Sequence, residues 1–353
     1  MRLEPAGDLA ARRRKLARPA RTACAVLASI AVLLAAACES SGAASGTAAA
    51  GTTTIRVAAA PGAEDAPLYV AAKNGGPFSK AGLKVTIASY PSVNAELQAL
   101  KKHQVDVAEG DYADFFYAAA TSKKLGLRVV ADGYHAAPGV MEVLAAPSSH
   151  ITTPQDLVGK TVGVAEPQVI PVVQPTRGQP AQPYSLEMLA TQSVLQGDGV
   201  NLAQVRWVRL PAGQLVSALA RHKVNAIVAQ EPYILEAEKS LGATEVLDSC
   251  SGATDSLPLS GYFTVQSFAQ EHPVALRDFR SALEQAQADA VLPGPVRVVV
   301  AHYPGMSMPN ASLITLGVYP TSLAADSLQR VANLMFNAGV LVRAFDVAPL
   351  IVH

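Results

Sequence analysis

The chain has 353 residues, of which half are hydrophobic and 16% are charged, and this length suits two lobes of roughly 100–150 residues each rather than one. The formal net charge is zero, but residues 1–37 hold seven of the 28 basic side chains and only two of the 28 acidic ones, which leaves 21 basic against 26 acidic residues in the remainder. A mildly acidic body argues against a nucleic-acid partner, which requires a clustered basic face.

The N-terminus has the layout of a secretory signal peptide. A basic stretch over residues 12–21 precedes an uninterrupted apolar run, Ala23 to Ala37, which is shorter than the about 20 residues that span a membrane. The Arg13-Arg14 pair leaves twin-arginine export open beside the general secretory route. We therefore predict a signal peptide over residues 1–37 and a protein that works outside the cytoplasm.

A cysteine follows the signal directly. Small residues before Cys38 resemble a bacterial lipobox, although Ala35 stands where that motif most often has leucine. Residues 39–54 lack any large apolar side chain and cannot fold alone, so residues 38–54 are predicted to be a lipid anchor and flexible tether at the outer face of the cell membrane. Cleavage after Ala37 without lipidation is the alternative.

The body begins with alternating strand and helix patterns. Apolar alternation and turn residues predict strands at residues 54–58, 83–87 and 105–108, and helices at residues 66–73, 92–102, 111–120 and 186–195. Ser92 or Asn94 is the candidate N-cap of the second helix, Asp111 or Asp114 that of the third, and Ser185 that of the fourth. Alternation of strands and helices predicts an α/β fold with mainly parallel sheets.

Two further patterns indicate how the lobes are divided. The segment 99–107 resembles 218–226: each reads as an amphipathic helix, a turn with a basic residue and a histidine, and an apolar strand. The extended runs 141–145 and 261–265 are predicted to be hinge strands. Lobe I is then residues 55–145 plus 266–353, and lobe II is residues 146–265; chance similarity of two common helix–turn–strand units is the alternative.

Signatures of catalysis and metal binding are missing. Gly159-Lys160-Thr161 lacks the earlier glycine of a phosphate-binding loop, no G-x-S-x-G motif occurs, and the seven histidines have no metal-ligand spacing. Cys250 has no partner once Cys24 has left with the signal and Cys38 is acylated, so no disulfide is expected. We therefore expect no catalytic residues, no metal and no cofactor.

Several segments in order resemble one family. Ala66-Pro67-Leu68-Tyr69-Val70-Ala71 with Gly82-Leu83-Lys84-Val85, then Asp156 to Val164 (DLVGKTVGV), Glu231-Pro232-Tyr233 and the C-terminal runs 279–290 and 328–340, resemble the solute-binding proteins of ABC importers for nitrate, sulfonates, taurine and thiamine-precursor pyrimidines. The resemblance implies a two-lobe periplasmic-binding-protein-like fold of type II, with two hinge strands. It also implies a monomer that closes on a small solute, docks on a membrane permease and catalyses no reaction.

The residues themselves favour a particular kind of solute. Ligands of open α/β sheets bind beyond the carboxyl ends of strands, and acidic and aromatic residues occupy those ends here, without an arginine among them. Carboxylates with tyrosines suit an amine- or pyrimidine-like solute better than a sulfonate or nitrate. The candidate ligand-binding residues are Glu64, Asp65, Tyr90, Asn94, Glu109, Asp111, Tyr112, Glu166, Tyr184, Glu231, Tyr233 and Tyr262.

Alternatives remain open at this point. The proline-rich segment 167–183, with Arg177, stands where the family has a compact turn beside the ligand, so the solute cannot be carried over from the resemblance. A sulfonate-, taurine- or nitrate-binding protein, a sensing lipoprotein without a transport role, and a pyrimidine-synthesising enzyme on the same fold are the competing functions.

Overall fold

Two five-stranded sheets form the framework of the protein, which we describe from a computed structural model that covers residues 53–166 and 184–352. Within these residues the strands are β1 (Thr53–Ala58), β2 (Leu83–Ala88), β3 (Val107–Asp111), β4 (Leu127–His135), β5 (Met141–Ala145), β6 (Thr161–Ala165), β7 (Arg206–Leu210), β8 (Ala226–Gln230), β9 (Thr244–Asp248) and β10 (Pro258–Val265). The α-helices are α1 (Ala66–Ala71), α2 (Pro77–Lys80), α3 (Val93–Lys101), α4 (Tyr112–Thr121), α5 (Leu186–Gly197), α6 (Leu215–Ala220), α7 (Tyr233–Leu241), α8 (Gln266–Glu271), α9 (Pro273–Asp289), α10 (Gly294–Val300), α11 (Met308–Leu313) and α12 (Ala325–Asn337).

Both sheets have the same topology. The first has the order β2-β1-β3-β10-β4 and the second β7-β6-β8-β5-β9. In each, the strand in fourth position runs antiparallel to both neighbours, while the other four point in one direction. The prediction of an α/β fold with mainly parallel sheets is therefore confirmed.

The pairing of β5 and β10, the two antiparallel strands, shows that the predicted hinge strands were assigned to the wrong lobes. Met141–Ala145, assigned to lobe I, pairs with β8 and β9 of the second sheet. Residues 261–265, assigned to lobe II, belong to β10, which pairs with β3 and β4 of the first sheet. The chain therefore crosses between sheets at 136–140 and 249–257, a few residues before the predicted positions. Local alternation predicts that a strand exists, but its partners lie far away in the sequence.

The internal similarity between 99–107 and 218–226 has a structural basis. His103 and His222 both adopt positive φ angles, 53° and 54°, in the turn that connects a helix to the third strand of its sheet. Next along the chain, the Asp106 carboxylate accepts a hydrogen bond from the Arg56 backbone, as the Asn225 side chain does from Thr161, at 2.8 and 2.9 Å. Each sheet thus ties the strand in its second position to the strand in its third position in the same way.

Helix starts follow the capping residues that the sequence offers. Ser92 Oγ accepts from the backbone N of Ala95 at 3.2 Å at the start of α3, and Ser185 Oγ accepts from Met188 N at 3.3 Å at the start of α5. Asp111 Oδ1 accepts from Ala113 N at 2.7 Å and so caps α4. These bonds orient the N-termini of three helices toward the carboxyl ends of the strands.

The core of the first sheet is built around β10, all of whose residues are buried. Phe263 stacks on Phe115 of α4 with ring centroids 4.0 Å apart, and the Tyr112 ring packs edge-on against Phe263 at 5.5 Å. The Tyr112 hydroxyl donates to the buried Asp132 carboxylate at 2.7 Å. Gly261 lies under this ring, where a Cβ atom would overlap the Tyr112 hydroxyl and two carbons of its ring.

We expect Gly261→Ala to lower the free energy of unfolding by roughly 2–3 kcal/mol, because the added methyl group must displace a buried ring that cannot move freely. Denaturant titration measures this. The double variant Gly261→Ala/Tyr112→Leu lacks the overlapping ring atoms, so it should be less destabilised than the sum of the two single variants. Strict additivity would show that Tyr112 does not restrict this position.

Candidate functional site

A cleft runs between the two sheets and consists of two adjoining cavities. We call the first, of about 390 Å³, the aromatic chamber, and the second, of about 450 Å³, the acidic chamber. Both are lined by the loops that follow β1 and β6, by the end of β8 and by the start of α5. The cleft therefore lies at the carboxyl ends of strands from both sheets, where α/β folds bind ligands.

The aromatic chamber is lined mainly by apolar and aromatic side chains. These are chiefly Tyr134, Val140, Leu215, Val228, Tyr233, Val300, Tyr303, Met306 and Ile314. Its tyrosines are held in place by polar contacts: Tyr303 donates to Asp65 Oδ1 at 3.2 Å, and Tyr134 accepts from the backbone N of Gly317. Such rigid walls suit the apolar body of a small molecule.

The acidic chamber carries seven carboxylates on its wall. They are Glu64, Glu96, Glu109, Asp111, Asp114, Glu166 and Glu187. Among the described residues that line either chamber there is no lysine, arginine or histidine. Glu64 and Glu187 line both chambers and mark their junction.

Burial and mutual repulsion raise the pKa values of four of these seven carboxyls. Burial, followed by the charge of Glu187, raises the pKa of Glu64 to about 7. Burial, together with Asp114, raises that of Glu96 to about 8. The pKa of Glu109 lies well above its ordinary value, because the side chain is buried and because Glu64 is close. A cleft of this kind takes up protons unless another cation replaces them.

Some of the carboxylates already serve the fold. Asp111 caps α4, although burial and Asp114 raise its pKa as well. Asp65 lies fully buried behind Glu64, where its Oδ1 accepts from Gly62 N at 3.1 Å. Glu231 Oε2 accepts from Leu235 N at 3.1 Å in the first turn of α7. Each of these groups stabilises a helix N-terminus or an adjacent turn.

Asp65 keeps one buried oxygen, Oδ2, without a partner among the described residues, and Glu109 keeps another. The Glu109 side chain is only 6% exposed, and its Oε1 has no hydrogen-bond partner within the described part of the chain. The buried Ser260 hydroxyl faces both Glu109 and Glu64. Buried polar groups are nearly always paired, so an open carboxylate oxygen in the wall of a cavity marks a place where a ligand group or solvent is expected.

Contacts also span the two halves of the body beside the cleft. Glu231 Oε1 accepts from the backbone N of Thr315 at 3.4 Å, and Lys239 Nζ of α7 donates to Asn310 Oδ1 of α11 at 2.8 Å. The α11 region belongs with the first sheet, since α11 packs on α10, α10 packs on α1, and Val318 bridges to His135 at the end of β4. The loop after β8 thus touches the other half directly.

The structure brings together part of the predicted site. Glu64, Tyr90, Glu109, Asp111 and Glu166 line the acidic chamber, and Glu231 and Tyr233 line the aromatic chamber.

Five predicted residues do not line either chamber. Tyr112 and Tyr262 are buried in the core because each ring completes an aromatic cluster, against Phe263 and Phe279 respectively. Asn94 is exposed on α3, since Ser92 takes the capping position. Asp65 lies behind the wall, and Tyr184, next to the residues that the structure does not describe, is not among the described lining residues.

The sequence analysis missed three acidic wall residues, Glu96, Asp114 and Glu187. Each stands in the first turn of a helix, a few residues after the capping residue of α3, α4 or α5. An acidic residue that follows a cap at the cleft end of a helix was the signal available. The segment 167–183, for which a pocket role was considered, lies outside the described residues, as do the predicted signal peptide, Cys38 and nearly all of the tether.

Two properties of the described residues bear on the class of protein. No helix among them is long and apolar enough to cross a membrane. Within the same residues, no cluster of three or more histidine, cysteine or acidic side chains is arranged to hold a metal ion.

We expect Glu96→Gln to raise the free energy of unfolding by roughly 2 kcal/mol at pH 9 and to change it little at pH 5. With a pKa of about 8 in the folded state, Glu96 binds a proton more tightly there than in the unfolded chain. Its contribution to stability is therefore lost as pH rises through the interval between the two values. Denaturant titrations at several pH values measure this. Glu271→Gln, on an exposed position of α8, is the matched control, and equal pH profiles of Glu96→Gln and the wild type would contradict the expectation.

Comparisons with known proteins agree with this architecture. The alkanesulfonate-binding protein SsuA of Xanthomonas axonopodis pv. citri, in a structure with bound MOPS, is 16% identical over 86% of this chain and 99% of that chain, with a TM-score of 0.64. The Candida albicans CA3427 gene product, described as having the generic periplasmic binding protein fold, is 15% identical over 83% and 92%, with a TM-score of 0.61. The desulfurization enzyme DSZB is 14% identical over 85% and 96%, with a TM-score of 0.61.

The TM-scores above 0.6 establish the fold, and the resemblance to periplasmic binding proteins of type II is confirmed. No curated protein sequence matches the chain significantly. A family model described as the NMT1-like family matches residues 48–291, well over half of the chain. The two sheets and the cleft between them are consistent with this match. The family match shows that the chain belongs to the NMT1-like family.

Proposed function

We propose that the protein is the extracytoplasmic solute-binding component of an ABC importer. The observation that carries the proposal is the cleft between the two sheets, whose wall is contributed by strand ends from both. Solute that contacts both walls favours the closed arrangement over an open one, so binding and closure are coupled by a shift in populations. The closed form then docks on a permease in the membrane.

Two lobes and two connections fit this role. In the proposal, lobe I comprises residues 53–135 and 258–352, and lobe II comprises residues 141–248. The segments 136–140 and 249–257, which connect the sheets, serve as hinges. The hydrogen bonds of Glu231 to Thr315 and of Lys239 to Asn310 would break when the lobes separate.

For the solute we favour an amine- or pyrimidine-like molecule over a sulfonate, taurine or nitrate. The described wall offers carboxylates and tyrosines and no basic side chain. Helix N-termini, the other anion-binding groups, are capped at α3, α4 and α5 by Ser92, Asp111 and Ser185. The structural relative SsuA is described as binding alkanesulfonates, but at 16% identity its wall residues need not be those of this chain.

One alternative has support from a specific comparison. DSZB, a desulfurization enzyme, has a similar fold, so this framework can also support catalysis. Incubation of the purified protein with each solute that it binds, followed by mass spectrometry of the solution, separates the two functions. Recovery of unchanged solute supports a binding protein, whereas a product that accumulates over many turnovers supports an enzyme.

Solute binding can be blocked sterically. Ala212 lines both chambers, and a Trp side chain at this position would fill their junction. We expect Ala212→Trp to abolish co-purification of solute and the increase in melting temperature that solute causes, with little change in the melting temperature of the empty protein. Ala203→Trp, at an exposed position outside both chambers, is the control. Undiminished binding by Ala212→Trp would place the solute elsewhere.

The location of the protein follows from the N-terminal sequence. In the proposal, residues 1–37 direct export, Cys38 carries the lipid, and residues 39–54 connect the lipid to a monomeric body at the outer face of the cell membrane.

We expect Cys38→Ser to move the protein from the membrane fraction to the soluble extracytoplasmic fraction and to prevent incorporation of radiolabelled fatty acid, because the acyl chains provide the membrane affinity. Cys250→Ser is the matched control, since Cys250 is buried in the body. Membrane attachment of Cys38→Ser would contradict the proposed anchor.

A further inference from the structure

The acidic chamber has more negative charge than the fold needs. Asp111 and Glu231 are accounted for by helix starts, but Glu64 and Glu187 line both chambers at their junction and Glu109 lines the acidic chamber close to Glu64. Grouped carboxylates inside a protein destabilise one another unless a proton or a cation offsets them. The fold retains all three beside one cleft.

Glu109 is the second, independent observation. A carboxylate that is 6% exposed and has an open oxygen within the described residues is costly to keep, and a neutral side chain of similar size would avoid that cost. The Ser260 hydroxyl faces both Glu109 and Glu64. The unpaired oxygen of Glu109 and this hydroxyl form a polar wall beside the acidic chamber.

The aromatic chamber provides an apolar binding surface next to these carboxylates. Its wall is mostly aliphatic and aromatic, with the fixed rings of Tyr134 and Tyr303, and it opens onto Glu64 and Glu187. A ligand that occupies both chambers must therefore be apolar at one end and positively charged at the other. A neutral heteroaromatic ring would leave the carboxylates without a counter-charge, and an anion would add to their repulsion.

On the basis of the proposed binding function, we propose that the solute is an organic cation whose protonated amino or amidine group lies among Glu64, Glu109 and Glu187, with its apolar body in the aromatic chamber. This assignment decides between a charged amine and a neutral pyrimidine in favour of the amine. It also gives each chamber a separate role in recognition.

A proton linkage follows from the geometry. Glu64 is faced by Glu187 on α5, by Glu109 of β3, by Ser260 of β10 and by the neighbouring Asp65, and the empty cleft holds protons on this group near neutral pH. An arriving ammonium group favours the carboxylate form and expels such a proton. Affinity for a cation should therefore increase as pH rises from 6 to 8, by up to about tenfold per pH unit for each proton released.

The first experiment compares ligands that differ only in charge. The probes are a series of phenylalkylamines and alkylamines, each with its alcohol and its carboxylate or sulfonate analogue of equal length, tested by thermal shift and by calorimetry at pH 6, 7 and 8. We expect the amines alone to raise the melting temperature, and their Kd to fall as pH rises. Calorimetry in two buffers of different ionisation enthalpy should show proton release on binding.

Each of the other outcomes would contradict a different part of the proposal. Binding of the alcohols or the anions in preference to the amines would overturn the cation assignment and leave the binding function intact. Failure of all three classes, together with no solute in the protein purified from its own host, would overturn the binding function as well. A Kd for amines that is independent of pH would refute the placement of the ammonium group among these carboxyls.

The second experiment uses substitutions that keep volume and remove charge. Glu64→Gln and Glu109→Gln should each weaken amine binding tenfold or more and flatten its pH dependence, while Glu271→Gln, exposed on α8, should bind as the wild type does. Because repulsion is relieved, the two cleft variants should melt no lower than the wild type at pH 8, which excludes misfolding as the cause. Unchanged amine affinity in both variants would refute the proposal.

Discussion

Repulsion among carboxylates inside a partly dehydrated cleft is the interaction on which the rest of the site depends. Glu64, Glu109 and Glu187 are placed on the wall of the acidic chamber by three separate segments: the loop after β1, strand β3 and the first turn of α5. The strands of the first sheet hold Glu64 and Glu109 together, and Glu187 faces them for as long as the lobes stay closed. The cleft can then be neutralised only from outside, by protons or by a ligand, and functional sites commonly retain such an unfavourable arrangement.

Much of the framework could be predicted from the sequence because its signals are local. Alternation predicted β1 and β2 to within one residue at each end, and Ser92, Asp111 and Ser185 occupy the capping positions that their side chains favour. The sheet assignment of β5 and β10 was wrong, because each extended run pairs with strands far away in the sequence. Strand pairing over such distances has no local signature.

The acidic character of the candidate site could be predicted from the sequence, but the individual residues that line it were harder to predict. Acidic residues at strand ends were expected to face the cleft, and Glu64, Glu109 and Asp111 do. Tyr112 carries the same signal but turns into the core, because Asp132, twenty residues away, accepts its hydroxyl. Glu187 could be recognised only after the start of α5 was known to lie beside the cleft. Side-chain direction at a helix start depends on packing, which composition and spacing do not record.

The position of β10 also determines the order in which the protein can be completed. The first sheet has β10 between β3 and β4, so that sheet is interrupted until residues 258–265 have joined it. All five strands of the second sheet precede those residues in the chain. Non-local pairing of this kind slows folding. Completion of the first sheet, and with it of the cleft wall that this sheet provides, therefore waits until most of the chain is available.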